Sequence, residues 1–279
     1  MKTRILLGSV LVMAVVLIFV GDYLLSTKVL GSALVFLLAV SAWLELALMS
    51  GIEFRSKRGL PFVLLGVLGT GYFLTLHWWS GMGEFSDLIL YTVGIAGLLF
   101  AAFAIAIFVP DHQQGFSWLT ITVLGVLLCG FLMSYLMRIY QHDQGLFLGA
   151  FFLLGAKGND IAAFFTGRAI GRHTFLKVSP KKTLEGCTAA VVFSVGWFIG
   201  GKCLWPDNFL EWPWLILLGI IFSVTTQLGD LAASLLKRSF AVKDSSPLLP
   251  EFGGVLDMTD SILFSGVLFW TLIEQGVVG

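Results

Sequence analysis

Three aspartates near the end of the chain have a spacing that suits a metal ion. Asp257 and Asp260 are three residues apart at the expected start of the last helix, so both carboxylates can point at one hard cation. Asp230 lies in the preceding apolar helix, where an ionisable residue is costly and normally faces a bundle interior or a wet cavity. We therefore predict that Asp230, Asp257 and Asp260 bind Mg²⁺, with a second cation left open. Two alternatives stand: Asp260 as an N-cap, and Asp230 paired only with Lys237 or Arg238.

Basic residues accompany these acids. A polar stripe runs along the helix of Asp230 at intervals of three or four residues: Ser223, Gln227, Asp230, Ser234 and Lys237. A loop shaped by prolines and glycines follows it. Acids that hold Mg²⁺ beside bases that neutralise phosphate oxygens would suit phosphoryl transfer. The predicted catalytic residues are Asp230, Lys237, Arg238, Lys243, Asp244, Asp257 and Asp260.

A second polar stretch, residues 157–185, is rich in bases. It holds six Lys or Arg and two acids, whereas residues 227–260 hold three bases and five acids. Pro180 is expected to start a helix whose free N–H groups could receive a phosphate. A solvated loop would explain the bases alone, but not the acid-rich stretch that complements them. The predicted substrate-binding residues are Asp160, Arg168, Ser179, Lys181, Lys182, Thr183, Glu185 and Ser234.

The composition indicates that lipid is the solvent of this chain. Of 279 residues, 57% are hydrophobic and 12% are charged, and the mean hydropathy is +0.93. The share of charged residues in soluble domains is roughly twice as high, about 25%. Lys and Arg total 17 and so do Asp and Glu, so the chain has no net positive charge to attract nucleic acid. We expect no nucleic-acid partner.

Nine apolar runs bounded by charge predict an all-α polytopic membrane protein with about nine transmembrane helices. The runs are approximately 5–20, 29–49, 60–80, 88–109, 117–137, 144–156, 186–201, 212–229 and 261–273. The sixth run is long enough only if its helix continues through Lys157 and Asp160 to Phe165. That continuation would place charge inside the membrane.

The distribution of Lys and Arg predicts the orientation of the helices. With the N-terminus in the cytoplasm, Lys28, Arg138 and Lys202 face the opposite side, which leaves 14 of the 17 bases on the cytoplasmic side. Both polar stretches then border a polar cavity open to the cytoplasm. We predict two regions: residues 1–156, transmembrane helices that form a scaffold and a candidate homodimer interface, and residues 157–279, the catalytic membrane region.

The two polar stretches resemble a known family of membrane enzymes. The run Ser234-Leu-Leu-Lys-Arg-Ser-Phe-Ala-Val-Lys-Asp244, continued by Pro250-x-x-Gly-Gly-Val-Leu-Asp257-x-x-Asp-Ser261, is similar to the C-terminal signature of the phosphatidate cytidylyltransferases, also called CDP-diacylglycerol synthases. Three further segments of this chain resemble other family blocks, in the family's order: Asp160 with Gly167-Arg168, Ser179-Pro-Lys-Lys-Thr-x-Glu-Gly186 and Gln227-Leu-Gly-Asp-Leu231. The resemblance covers about residues 157–265.

Two positions depart from the family signature. The family usually has Pro-Gly-His-Gly-Gly, where this chain reads Pro250-Glu-Phe-Gly-Gly254, and Asp-Arg-x-Asp, where it reads Asp257-Met-Thr-Asp260. Phe252 and Met258 thus stand in place of a histidine and an arginine. Neither replacement removes a carboxylate that could hold metal, so we expect activity to be retained. A degenerate, noncatalytic relative is the alternative.

The resemblance implies an enzyme of phospholipid biosynthesis. It would transfer a cytidylyl group from CTP to phosphatidic acid with Mg²⁺ as cofactor, and release CDP-diacylglycerol and pyrophosphate. CTP, phosphatidic acid and membrane lipid would be its partners, in a bacterial plasma membrane with the active site facing the cytoplasm. The alternatives are a CTP-dependent transferase acting on another membrane lipid, such as an isoprenoid, and a polytopic transporter. Polar residues that concentrate in one half of the chain disfavour the transporter.

Overall fold

The regular elements of the protein are all helices in the part of the chain that its computed structural model describes, residues 2–54, 56–80, 87–174, 176, 178–204, 212–246 and 253–278. Its elements there are α1 Lys2–Leu24, α2 Val29–Met49, α3 Leu60–Ser80, α4 Asp87–Ile107, α5 His112–Gly125, a π-helical segment Val126–Leu132, α6 Met133–Gln141, α7 Gly145–Ile170, α8 Leu184–Leu204, α9 Trp212–Ser239 and α10 Val255–Glu274. An isolated antiparallel bridge joins Thr174 to Thr183.

Seven helical segments among the described residues are long and apolar enough to cross a membrane. They are α2, α4, the continuous helix His112–Gln141, α7, α8, α9 and α10. Shorter apolar segments, Met13–Leu24 and Leu60–Leu76, lie within α1 and α3. The side chains of Phe100 and Phe108 are 78% and 85% exposed, as expected of a surface that meets lipid. The all-helical class is confirmed, and the seven spans are consistent with a polytopic membrane protein.

Two predicted helix continuations are confirmed. Helix α7 runs from Gly145 through Lys157 and Asp160 to Ile170, so these charged residues lie within a candidate membrane span. Helix α9 continues past the predicted end of its apolar run, residue 229, to Ser239. The polar stripe that includes Asp230 therefore lies on one uninterrupted helix.

The predicted helix start at Pro180 is wrong. Residues 180 and 181 form a turn closed by a hydrogen bond from the Lys182 N–H to the Ser179 carbonyl oxygen, at 3.0 Å. Helix α8 begins only at Leu184, because the Thr183 hydroxyl accepts a hydrogen bond from the Gly186 N–H at 3.2 Å and so serves as the N-cap. Proline suits the second position of a turn as well as the first turn of a helix, and here the turn prevails.

The chain forms two compact units, and the first consists of Met1–Gln141 and Asp244–Met258. Trp43 of α2 is fully buried in its core. A Cβ atom at Gly66 of α3 would overlap the Trp43 ring, and one at Gly125 of α5 would lie 2.5 Å from it. Three helices therefore approach each other around one indole because two of them carry glycine at the contact.

The second unit consists of His142–Lys243 and Thr259–Gly279. Its core is a cluster of phenylalanine rings from α7, α8, α9 and α10, namely Phe151, Phe152, Phe198, Phe222 and Phe269. The centroids of the Phe152 and Phe269 rings are 5.3 Å apart, and those of Phe198 and Phe222 are 5.5 Å apart. This core fixes the helices that carry most of the predicted site. The functional division at residue 156 stays a prediction.

Candidate functional site

Two aspartates of the second unit lie side by side. Asp230 is on α9 and Asp260 is on α10, and their carboxyl groups are within hydrogen-bonding range of each other. The helices can approach this closely because residue 229 is glycine: a Cβ atom there would overlap the carbonyl oxygen of Asp260. Asp260 is 6% exposed, so its carboxyl group is largely shielded from solvent, whereas the Asp230 side chain is 32% exposed. The interpretation of Asp260 as an N-cap is wrong, since Asp260 lies in the second turn of α10.

Lys182 forms an ion pair with Asp230 that was not predicted from the sequence. Its Nζ lies 2.7 Å from Oδ2 of Asp230 and donates to the carbonyl oxygen of Gln227 at 3.3 Å. The interpretation that Asp230 pairs only with Lys237 or Arg238 is therefore wrong. The Lys182 and Asp230 side chains are 18% and 32% exposed, so the pair is partly open to a ligand.

A second lysine, Lys157, also lies near these acids. Lys157 Nζ donates to the hydroxyl of Ser261 at 2.8 Å and lies 3.5 Å from Oδ2 of Asp160. Asp160 is on α7, and the charges of Lys182 and Asp230 also act on its carboxyl group. Three acids and two lysines from four segments of the second unit thus form one cluster, which we call the acid–lysine cluster: Asp160, Asp230, Asp260, Lys157 and Lys182.

The loop before α8 holds Lys182 in place. The bridge between Thr174 and Thr183 and the hydrogen bond from the Leu184 N–H to the His173 carbonyl oxygen, at 2.9 Å, close this loop. The His173 ring nitrogen Nδ1 and the Glu185 carboxylate lie 2.6 Å apart across the same closure. Glu185, predicted to bind substrate, therefore contacts the loop, and Thr183 caps the helix that follows it.

Gln227 belongs to a polar network beneath the cluster. Its side-chain amide donates to the Ser223 hydroxyl at 2.9 Å, and the same hydroxyl accepts from the buried amide of Asn159 at 2.7 Å. The Asn159 amide also lies 2.7 Å from the hydroxyl of Ser194. Three candidate membrane-spanning helices are thus joined by hydrogen bonds near Ser223, about two turns before Asp230 on α9. Sequence reasoning missed Asn159 and Ser194, although a polar residue in an apolar run was a usable signal.

Asp257 lies in the first unit, where several donors converge on it. Its Oδ2 accepts hydrogen bonds from the Ser245 N–H at 2.8 Å, the Ser245 hydroxyl at 2.9 Å and the Gly254 N–H at 3.0 Å. The predicted position at the start of the last helix is confirmed, since α10 begins at Val255. The metal-binding role of Asp257 stays a prediction.

The remaining residues predicted for the site are exposed or half-buried. Arg238 ends α9, where its guanidinium donates to the Val242 carbonyl oxygen at 3.3 Å. The exposed members of the set are Arg168, Lys181, Arg238, Lys243 and Asp244, and the half-buried members are Ser179, Ser234 and Lys237. Met258 is half-buried, whereas Phe252, the other replaced signature residue, lies outside the described residues.

The donor set of the cluster fits a Mg²⁺ ion. Among the described residues, no group of three or more His, Cys, Asp or Glu side chains is arranged to hold a metal. Mg²⁺ does not need such a group, because it commonly binds one or two protein carboxylates together with waters and substrate phosphates. Two adjoining carboxylates repel each other when both are ionised, and a cation would relieve that repulsion. Asp230 and Asp260 meet this requirement.

Comparison with known proteins identifies the family. A family model described as "Cytidylyltransferase family" matches residues 2–275. The phosphatidate cytidylyltransferase of Synechocystis is 39% identical over 124 residues, which is 41% of this chain and 39% of that protein. The phosphatidate cytidylyltransferase of Helicobacter pylori strain J99 is 37% identical over 141 residues, 50% of this chain and 51% of that protein.

A longer alignment relates the chain to a protein of unassigned function. The Escherichia coli protein YnbB, described as uncharacterized, is 34% identical over 195 residues, 67% of this chain and 64% of that protein. The alignments thus span between about two fifths and two thirds of these relatives' length. Because the family model covers nearly the whole sequence, the chain belongs to the cytidylyltransferase family.

Proposed function

We propose that this protein is a phosphatidate cytidylyltransferase. It would convert CTP and phosphatidic acid into CDP-diacylglycerol and pyrophosphate, with Mg²⁺ as cofactor. The observation that carries the proposal is the acid–lysine cluster, in which adjoining carboxylates face two lysine ammonium groups. Membership of the cytidylyltransferase family and the names of two bacterial relatives support it.

The proposed reaction joins two anions. A phosphate oxygen of the lipid attacks the α-phosphorus of CTP, a new P–O bond forms, and the bond between the α-phosphorus and the bridging oxygen breaks. The electron pair of that bond leaves with pyrophosphate. Positive charge beside the phosphates lowers the repulsion between the reactants and stabilises the leaving group. Mg²⁺, when bound, would supply part of this charge.

Residues of the cluster have distinct proposed roles. Asp230 and Asp260 would hold the metal ion, with Asp257 as the third predicted ligand. Lys182 can exchange its contact with Asp230 for a phosphate oxygen, because an ammonium on a flexible stem has three rotatable donors. Lys157 is placed to hold Asp160 and Ser261 while leaving 43% of its own side chain exposed. Triphosphate or lipid phosphate would then contact four exposed bases, Arg168, Lys181, Arg238 and Lys243.

The topology completes the proposal. We infer nine spans with the N-terminus in the cytoplasm, because that arrangement puts 14 of 17 Lys and Arg residues on the cytoplasmic side. The site would then open to cytosolic CTP at the surface of a bacterial plasma membrane. Residues 1–156 would supply a homodimer interface, and the zero net charge supports the expectation of no nucleic-acid partner.

A substrate comparison tests the activity. Purified protein in detergent micelles would receive radiolabelled CTP and Mg²⁺ together with phosphatidic acid, an isoprenoid phosphate or an isoprenoid alcohol. We expect labelled CDP-diacylglycerol and an equal amount of pyrophosphate with phosphatidic acid alone. Product formation with an isoprenoid lipid alone would instead establish the CTP-dependent transferase of another lipid.

Two further measurements distinguish the proposed enzyme from a noncatalytic relative and from a transporter. Growth of cells that lack CDP-diacylglycerol synthesis should be restored by this gene, and failure despite normal membrane insertion would indicate a noncatalytic relative. Solute flux into reconstituted vesicles without pyrophosphate release would indicate a transporter.

A further inference from the structure

A carboxylate is buried in the middle of the first unit, far from the signature in sequence. Glu45 lies on α2, a candidate membrane span, and is 6% exposed. Burying an ionisable side chain in such a helix is costly unless its oxygens find strong donors. The neighbours of Glu45 therefore indicate what its burial achieves.

The Glu45 oxygens cap the first turn of α10. Oε1 accepts a hydrogen bond from the Val255 N–H at 2.8 Å, and Oε2 accepts one from the Leu256 N–H at 2.9 Å. The first N–H groups of a helix have no partner within it and form its positive end, so they favour an anion. A carboxylate of α2 thus caps a helix that begins 210 residues later.

Ser245 connects Glu45 to Asp257. Its hydroxyl lies 2.8 Å from Oε2 of Glu45 and 2.9 Å from Oδ2 of Asp257. The Ser245 N–H donates to the same Asp257 oxygen at 2.8 Å. Asp257 is therefore held through a side chain that Glu45 itself holds.

Glycine 254 makes this arrangement possible. A Cβ atom at residue 254 would overlap both the Glu45 carboxylate and the Ser245 hydroxyl. Its neighbour Gly253 has a φ of +83°, a conformation that glycine adopts without a steric penalty. Both glycines of the signature thus allow a carboxylate to lie against the backbone: Asp257 lies against Gly253, and Glu45 lies against Gly254.

We propose that Glu45 is a positioning residue for Asp257. By capping α10 and holding Ser245, it sets the direction in which the Asp257 carboxylate points. The inference rests on the proposed function in so far as Asp257 serves catalysis. It gives the N-terminal helices a part in the site, beyond that of a scaffold.

A matched pair of variants tests the proposal. Glu45→Gln replaces one acceptor oxygen by a donor that faces N–H groups. Asp22→Asn makes the same change at a carboxylate of the same unit that is 2% exposed and accepts from the N–H groups of Leu30 and Gly31 at the start of α2, at 3.0 and 2.8 Å. Both variants lose a buried helix cap, but only Glu45 is linked to Asp257.

The first readout is the Mg²⁺ dependence of CDP-diacylglycerol synthesis. Loss of a group that orients a metal ligand typically lowers metal affinity or activity about 10–100-fold. We expect Glu45→Gln to raise the Mg²⁺ concentration for half-maximal rate at least about tenfold, and Asp22→Asn to change it less than about twofold. Equal losses in both variants, with an unchanged Mg²⁺ dependence, would overturn the proposal.

The second readout does not need activity. In metal-free protein, hydrogen–deuterium exchange of the Ser245, Val255 and Leu256 amides should become at least about tenfold faster in Glu45→Gln and stay unchanged in Asp22→Asn. If wild-type protein makes no CDP-diacylglycerol, the proposed function fails while this readout still decides the positioning role. Unchanged exchange in Glu45→Gln would refute that role.

A milder variant covers the case in which Glu45→Gln does not fold. Ser245→Ala removes only the hydroxyl link and leaves the cap intact. We expect a shift in Mg²⁺ dependence of about threefold to tenfold, in the same direction. Wild-type exchange at Leu256 would show that the cap is intact in Ser245→Ala. If the Mg²⁺ dependence of that protein is then also that of the wild type, the link through the hydroxyl is contradicted.

Discussion

Two carboxylates of the first unit are held differently from those of the acid–lysine cluster in the second. Glu45 and Asp257 accept hydrogen bonds from backbone N–H groups, which are fixed by the chain, and from one serine hydroxyl. In the second unit, Asp160 and Asp230 pair with lysine ammonium groups, and Asp260 adjoins Asp230.

This difference separates carboxylates with fixed partners from carboxylates with exchangeable partners. A backbone N–H cannot leave a carboxylate without unfolding part of the chain, whereas a lysine side chain can move to another anion at little cost. Acids held by the backbone are therefore suited to a fixed geometry, which for Asp257 would be that of a metal ligand. Acids held by lysines are suited to exchange the ammonium group for a metal ion, and the lysine is then able to contact a phosphate.

The strongest test of the contrast is Asp230→Asn. This change removes one carboxylate of the adjoining pair and the ion-pair partner of Lys182. Loss of an electrostatic contribution of about 3 kcal/mol corresponds to a fall in kcat/KM of about 100-fold. Asp111→Asn, at an exposed carboxylate that caps α5, is the control and should stay within about twofold. Steady-state synthesis of CDP-diacylglycerol measures both, and an Asp230→Asn enzyme with a third of the wild-type rate would break the contrast.

Lys182→Met tests whether the exchangeable partner matters. The methionine keeps most of the side-chain volume but removes the ammonium that contacts Asp230. Because the charge is only partly buried, we expect a fall in kcat/KM of about 30-fold with little change in thermal stability. Lys202→Met, in the last turn of α8, is the matched control and should keep nearly full activity. Equal activity of the two variants would show that Lys182 has no part in the reaction.

Gly229→Ala probes the approach of α9 to α10. The added Cβ would overlap the Asp260 carbonyl oxygen, so the helices must separate and the two carboxyl groups with them. We expect a loss of activity of about tenfold together with a lower unfolding temperature. Gly196→Ala is the control, because a Cβ there meets no atom within 4 Å, and it should be neutral or slightly stabilising through helix propensity. Identical melting curves for the two alanine variants would contradict the close approach.

The smallest effect on activity is expected from Asn159→Ala. Its side-chain amide donates to the hydroxyls of Ser194 and Ser223, and neither serine is a member of the acid–lysine cluster. Leaving buried hydroxyls without this donor should cost about 2 kcal/mol of stability and change kcat/KM less than about threefold. Thermal unfolding in detergent and the synthesis assay measure the two quantities. An activity loss larger than that of Lys182→Met would place Asn159 in the reaction itself.

Hydropathy and charge predicted the elements well because both follow directly from the bilayer. The continuation of α7 through Lys157 and Asp160 was predictable, since a span of 13 residues is too short to cross the membrane. The polar stripe with Asp230 was predictable from helical spacing alone. These properties depend on one segment at a time.

Contacts between distant segments were not predictable in this way. The partner of Asp230 is Lys182, 48 residues earlier in the chain, and nothing in local spacing distinguishes Lys182 from the exposed Lys181. Pro180 suggested a helix because turns and helix starts share the geometry that proline favours. Glu45 is an isolated acid in an apolar run, and a charge at that depth signals a buried partner without indicating which segment supplies it.

The overlap between Glu45 and any side chain at residue 254 has a consequence for how related sequences vary. A side chain at position 254 would occupy the volume of the Glu45 carboxylate and the Ser245 hydroxyl, so replacement of this glycine is tolerated only if those groups move or change. Relatives that keep both residues should retain this capped start of α10. Those that lose the acid lose one of the two groups that require glycine, and positions 45 and 254 should therefore covary although they are 209 positions apart in the chain.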